Sequence, residues 1–407
     1  MHGQRHLIAA GMLWGILVPT LSTAQPVGSG FDLGGFRAYP WLNLLSGYET
    51  NYYHSNNQIE DLGYLGVMST FEITVEPGIR LTALKGPDSY NLAYFARIGT
   101  VFESSADDFV DHQASATANW DLGLRHRATA DYQFWHWHDR RGTGSPVDGS
   151  RANFSDSPDL WNSNRARLGY SYGAPGARGR LDLSAGFLTR DYINNDQEAR
   201  NNNRTPLGAT VYARVRPKVS LLFELGWENI EYTNQQARAE TLDSEQLLAY
   251  GGITWDATAK TSGTLKLGWL GKNFAAEERG NISDLGWSAT AQYRPKPYST
   301  FNLATVRAPE ESTTGLADAV VVSSVNLDWV HYWKPAIHTR FGLLGANDDY
   351  VGEPRTDHRY NVAGGIFYQM RRWLELGLDY TYESRTSDQS LAEYTDNVFL
   401  FSVRTAY

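Results

Sequence analysis

Val219-Ser-Leu-Leu-Phe-Glu-Leu-Gly-Trp-Glu228 is the stretch on which the fold turns. Val219, Leu221, Phe223, Leu225 and Trp227 alternate with Ser220, Leu222, Glu224, Gly226 and Glu228. Successive side chains of an extended strand point to opposite sides, so one face of this segment is apolar and the other small, polar or charged. The same pattern recurs at Leu374, Leu376, Leu378, Tyr380 and Tyr382, interleaved with Glu375, Gly377, Asp379 and Thr381. It returns at Leu181–Phe187, Leu265–Trp269, Trp287–Tyr293 and Phe399–Val403. No helical periodicity competes with it beyond the N-terminus. The reading is all-β.

Two kinds of punctuation separate the strands. Tight turns occur at Lys85-Gly86-Pro87, Gly123-Leu124-Arg125, Gly173 to Gly179, Arg216-Pro217-Lys218, Ala257 to Thr261, Arg294-Pro295-Lys296-Pro297, Lys334-Pro335 and Arg371-Arg372. Longer polar loops fall at 54–64, 104–111, 139–160, 192–204, 234–243, 275–284, 309–318, 347–358 and 386–394. The two kinds alternate, which makes about eighteen strands of roughly 11–14 residues, the length a tilted strand needs to cross a bilayer. Soluble sandwiches have shorter strands, and their connections do not sort by length between the two ends. Aromatics sit beside the short turns (Trp120, Tyr172, Trp255, Tyr293, Tyr298, Trp333, Trp373, Tyr407) and at the far ends (Tyr52, Tyr53, Trp135, Trp137, Trp161, Tyr192, Tyr232, Tyr350, Tyr394), and read as two interfacial belts. The expected fold is a closed antiparallel transmembrane barrel, short turns toward the periplasm and long loops outward, integral to a bacterial outer membrane.

Composition agrees. The 407 residues include no cysteine, which excludes disulfides, thiolate metal sites and a cysteine nucleophile. A mean hydropathy of −0.44 argues against a helical membrane bundle, and a formal charge of −9 against a nucleic-acid partner. Residues 1–24 read as a secretory signal peptide: Arg5 in a short basic start, an apolar run from Leu7 to Val18, Pro19, then small residues ending at the expected cleavage position, Ala24. A Gly-rich segment, 25–39, precedes the barrel at 40–407.

The short turns each carry a base: Lys85, Arg125, Arg178, Arg216, Lys218, Lys260, Arg294, Lys296, Lys334, Arg371 and Arg372. The long loops lean acidic, with Asp107, Asp108, Glu277, Glu278, Glu310, Glu311, Asp348, Asp349 and Asp388. One reading is solvated ends, with an outer rim that binds the cations bridging lipopolysaccharide. Another is a basic periplasmic mouth that gathers an anionic polymer. The polar register nominates a lumen face of mixed sign, with Arg97, Arg127, Asp131, Arg165, Arg167, Asp182, Arg214, Glu224, Glu228, Lys266, Arg294, Asp328, Arg340, Glu375, Asp379 and Arg404 as pore-lining candidates. The chain ends on Phe399, Phe401 and Val403 on one face and then Tyr407, which resembles the signal read by the outer-membrane assembly machinery.

Catalytic signatures are lacking: there is no Gly-x-Ser-x-Gly elbow, no His-Glu-x-x-His and no phosphate-cradling loop. His136 and His138 share a strand face beside Asp139 and could form at most a weak metal site, and their aromatic neighbours favour a headgroup-level role. No catalytic residue, cofactor or metal is expected. The loop 139–160 reads as a surface loop or as one folded inward to narrow the channel.

The strand number, chain size and Arg-Pro-Lys turns at 216–218 and 294–296 resemble the β-barrel porins of exopolysaccharide biosynthesis operons (EpsL-like proteins) over essentially all of 40–407. The strand number is also similar to the alginate exporter, whose lumen is strongly Arg-lined where this one is mixed. The resemblance implies export of a secreted or capsular polysaccharide by passive translocation, with a periplasmic export protein as partner. A general or sugar-selective diffusion porin is the alternative, and an outer-membrane lipase or lipid A hydrolase lacks its constellation here.

Overall fold

Eighteen strands of 12 to 16 residues follow one another around a single closed sheet. The computed structural model describes residues 28–56, 65–142, 155–174, 176–234, 240–256, 260–312 and 317–407, so the expected signal segment and Ala24 lie outside the described residues. A three-residue strand, β1 (Phe31–Leu33), folds back on β2 (Phe36–Glu49). The wall continues with β3 (Thr70–Lys85), β4 (Asp88–Val101), β5 (Phe109–Asp121), β6 (His126–Asp139), β7 (Asp159–Tyr172), β8 (Gly179–Tyr192) and β9 (Asn202–Arg216). It goes on through β10 (Val219–Tyr232), β11 (Ser244–Trp255), β12 (Thr261–Phe274), β13 (Ile282–Lys296) and β14 (Ser299–Glu311). It finishes with β15 (Ala319–Lys334), β16 (Ile337–Val351), β17 (Thr356–Arg371), β18 (Leu374–Ser387) and β19 (Tyr394–Ala406). Each strand pairs antiparallel with the next, and β19 pairs with β2 from Val398↔Glu49 to Ala406↔Trp41. That last ladder removes both edges, the condition for placing backbone in lipid.

The alternation sorts as the sequence predicts. Phe223, Leu267 and Phe401 are 52%, 52% and 43% exposed on the outside, whereas Leu222, Lys266 and Ser402, one residue away, are buried inside. The short-turn aromatics Tyr172, Tyr293, Tyr298, Trp333, Trp373 and Tyr407 are exposed, and so are the basic turn residues.

Three boundaries differ from expectation. The first wall strand begins at Phe36 rather than Pro40, because Gly34 and Gly35, at φ +56° and +91°, turn β1 back on it. The acidic stretches 309–318 and 347–358 are not loops throughout: β14 runs to Glu311, and only Gly352–Arg355 separates β16 from β17. Their charges are paired inside the barrel, Glu311 with Lys272 and Asp348 with Arg359, so polarity here marks an inward face rather than a solvated connection. The acidic outer rim is therefore reduced to residues such as Glu277, Glu278 and Asp388, which are exposed.

Placing charge on the lipid side tests this assignment. Leu267→Arg, near the middle of β12, should cost roughly 2–4 kcal/mol in urea unfolding from lipid vesicles, whereas Ser288→Arg on the inward face of β13 should be tolerated.

Candidate functional site: the lumen

Each pore-lining candidate falls on the inward register of its strand. The outward-facing exposed neighbours Ile98, Tyr132, Leu168, Leu183, Val215, Leu225, Leu267, Val325, Phe341 and Leu378 fix the parity. Ion pairs join several of them: between strands, Arg97 with Glu76 (2.8 Å) and Asp111 (3.8 Å), Lys266 with Glu224 (3.1 Å) and Arg404 with Glu375 (3.3 Å), and along β8, Arg180 with Asp182 (3.1 Å). Arg127, Asp131, Arg165 and Arg167 lie together on β6 and β7, with Asp131 opposite Arg167 in register. Among the described residues Arg127, Arg165 and Arg167 have no carboxylate within 4 Å. In a ring of eighteen, strands nine apart stand opposite each other, so β6 to β9 face β15 to β18. That facing arc carries Asp328 and Asp379, neither paired with a cation. Arg214 and Arg294 sit exposed at the short-turn mouth, and Arg214 donates to the Gly176 carbonyl. At the same end Phe367 is wholly buried, with the His338 ring stacked 4.8 Å away and the Arg340 and Arg404 guanidiniums 4.6 and 5.4 Å from its centre.

The long-loop half of the interior is packed. The β13–β14 ladder stops at Trp287↔Arg307, although β14 continues to Glu311. Beyond that point the β14–β15 hairpin turns into the barrel. Glu311 accepts from Lys272 and from the Tyr232 hydroxyl (2.8 Å), and both donors lie on inward faces, of β12 and β10. Ala319 and Val321 pack in one apolar cluster with Ile230, Tyr232, Leu242, Leu270, Phe274 and Ile282, while Val320 and Val322 join Ala317 and Tyr350 on the hairpin's other side. Asp318, bonded to Arg279 (2.7 Å) and to the Gly280 amide (2.9 Å), fastens the tip to the β12–β13 connection. On the other side, the start of the loop after β6 docks inward. Arg140 makes a two-pronged bond to Glu49 (2.7 and 2.9 Å) and covers the Tyr52 ring at 4.0 Å. Arg141 binds Asp107, Ser104 (2.9 Å) and the Tyr53 hydroxyl (3.0 Å). Burial opposes charge on Asp107, but the bonds from Arg141, Ser104 and Tyr53 outweigh it and hold the carboxyl below its ordinary range. Residues 143–154 of this loop lie outside the described residues.

The far aromatic set corrects the expected outer belt. Tyr52, Tyr53, Trp161, Tyr192, Tyr232 and Tyr350 are buried inside, Trp137 lies 5.2 Å from the Arg97 guanidinium, and Tyr394 stacks on His54. Trp135 shares the inward register of Trp137 and Asp131. The lipid-side aromatics at that end are instead Tyr48, Phe71, Phe102, Trp269, Tyr360, Tyr380 and Phe399. The His136/His138 pair is also split. The β5–β6 ladder ends at His112↔His136; His136 stays outside and bonds Asn162 (2.8 Å), while His138 turns in and bonds Asp111 (2.7 Å). Phe399, Phe401 and Val403 occupy the outward face of β19, and Tyr407 is exposed at its end.

A closed eighteen-strand wall with an apolar exterior and a charged interior defines a porin-type barrel integral to the outer membrane. The chain belongs to the family described as "Putative beta-barrel porin 2", whose model matches residues 25–407. Among solved structures it is similar to a BenF-like porin from Pseudomonas fluorescens Pf-5, at 11% identity, 91% of this chain, 99% of that one and a TM-score of 0.51. It is also similar to the FrpB iron transporter of Neisseria meningitidis (F5-1 variant, apoprotein form), at 10% identity, 93% and 82% coverage and a TM-score of 0.50. OccK2 (OpdF) of Pseudomonas aeruginosa aligns at 13% identity, 91% and 98% coverage and a TM-score of 0.49. These likenesses are of fold. No curated protein matches.

The Asp107 carboxylate sets a pH response. Its folded value is lowered, so its contribution to docking the loop is complete above about pH 4 and lost as pH falls through the depressed value. Channel current in planar bilayers should become noisier on that acidification, and Arg141→Ala should show the same noise at neutral pH.

Proposed function

We propose that this protein is a selective outer-membrane channel for small hydrophilic solutes of sugar or sugar-acid type. The observation that carries the reading is the inward β14–β15 hairpin. Ala319 to Val322 are buried on both faces, and together with the docked Tyr52, Tyr53, Arg140 and Arg141 they fill interior space at the long-loop half. Arginines on β6 and β7 without carboxylate partners offer forked donors to a passing carboxylate or hydroxyl pair. The inward, half-buried Trp137 ring offers a flat apolar surface of the sort a sugar ring packs against. Mixed lumen charge favours modest selectivity over the strong anion preference of an arginine-lined tube.

Export of an exopolysaccharide is the second reading, supported by the same inward aromatic ring. It requires the hairpin to withdraw, because a polymer needs a continuous opening, and it brings with it a periplasmic export protein to deliver the chain. The diffusion reading treats the hairpin as a fixed constriction.

One substitution separates them. Val321→Asp places an unpaired charge in the apolar cluster and should release the hairpin. Single-channel conductance should rise several-fold while heat-modifiable gel migration is retained. If the wild type passes small sugar acids in liposome swelling, the selective channel stands. If it is closed to them and only the variant conducts, export is favoured. Unchanged conductance in the variant would show that the hairpin is no constriction.

A further inference from the structure

At the long-loop end, where the closing ladder begins, His54 sits among three carboxylates. Its Nε2 lies 3.8 Å from Glu49, 3.9 Å from Glu383 and 4.0 Å from Asp396. We infer that His54, Asp396 and Glu49, with Glu383 beside them, form a binding site for a divalent transition-metal ion.

The imidazole is positioned for it. His54 adopts φ +48°, its amide donates to the Asn51 carbonyl (3.0 Å), and its ring lies flat on Tyr394 at 4.3 Å.

The carboxylates are held in the same sense. Asp396 is wholly buried, and its Oδ1 accepts from the Thr50 amide (3.1 Å), the Thr50 hydroxyl (2.9 Å) and the Asn51 amide (2.8 Å). Its Oδ2, aimed at the His54 ring, has no hydrogen-bond partner. A wholly buried carboxylate oxygen left in that state is costly unless a cation meets it. Glu383 is likewise oriented by Asn361 through its other oxygen (3.0 Å). Against the three carboxylates stand Arg140, bound to Glu49, and Arg385, which leans toward Asp357 at 3.8 Å. The ligand atoms of His54, Asp396 and Glu49 all lie within 4.8 Å of one another, so shifts of about an ångström, with Glu49 Oε1 turned from Arg140, would bring them to the ~2.0–2.2 Å bonds of a zinc-type ion. An imidazole donor among them argues against calcium or magnesium, which take oxygen alone. A bound ion would bolt the loop that carries Tyr52 and Tyr53 to β18 and β19 across the seam that closes the barrel.

The test uses tag-free, full-length protein refolded in detergent at neutral pH and titrated with Zn²⁺ or Mn²⁺ by calorimetry. One ion per chain is expected, with a raised unfolding temperature that a chelator reverses. His54→Ala and Asp396→Asn should each weaken binding at least tenfold, while His136→Ala, on the outer face, should not. Should these variants fail to fold, Cu²⁺ bound to the wild type should show electron-spin coupling to a single imidazole nitrogen. Absence of stoichiometric uptake, affinity unchanged in folded His54→Ala, or a copper spectrum without nitrogen coupling would each overturn the site. The first of these outcomes would leave His54 as an imidazole merely packed among carboxylates. Solute transport is measured separately and can stand or fall without the ion.

Discussion

Backbone amides and carbonyls in a bilayer have no water to bond, and every other feature of this protein depends on meeting that constraint. The β19–β2 ladder meets it by returning the last strand to the first. With the ring closed, alternation along each strand becomes a partition between two solvents. Leu221, Phe223 and Leu225 face lipid, and Leu222, Glu224 and Glu228 face inward. A one-residue slip would put the charges in lipid, so the register is strongly fixed in the central wall.

Toward the long loops the constraint relaxes, and the wall uses the freedom. The β13–β14 ladder ends early, and the last residues of β14 and the first of β15 leave the cylinder to fill its interior. Peeling away is tolerable only beyond the hydrocarbon zone, and the tip regains what it loses through Lys272–Glu311, Arg279–Asp318 and apolar packing. Removing one partner of a wholly buried pair such as Lys272–Glu311 would strand the other charge at a cost of about 3–5 kcal/mol, so the two residues depend on each other. The opposite side is packed by a different device, with guanidiniums laid over Tyr52 and Tyr53. A rigid wall thus carries a separately built interior, and a channel can keep its stability while its permeability is set elsewhere.

Much of the interior was legible and partly misread. Tyr232 shares a register with Glu224 and Glu228, Trp137 with Asp131, Trp161 with Arg165, and Tyr350 with Arg340. The parity that assigned the charges to the lumen assigns these rings there as well. The interfacial belt was the wrong template for them, because strand ends that extend past the bilayer have no headgroups to meet. The charges of Glu311 and Asp348 point to loop because charge usually marks solvent, and only their partners on other strands explain their burial.

By itself the sequence determined the all-β class, the number of wall strands and the sorting of short and long connections. All of these follow from local periodicity and turn chemistry, which neighbouring residues settle. Only the tertiary structure decided that the β14–β15 hairpin turns inward and that His138 leaves the face it shares with His136. It also decided that His54 meets Glu49, Glu383 and Asp396. Those contacts join residues up to hundreds of positions apart, brought together by barrel closure and strand curvature, which no local pattern encodes.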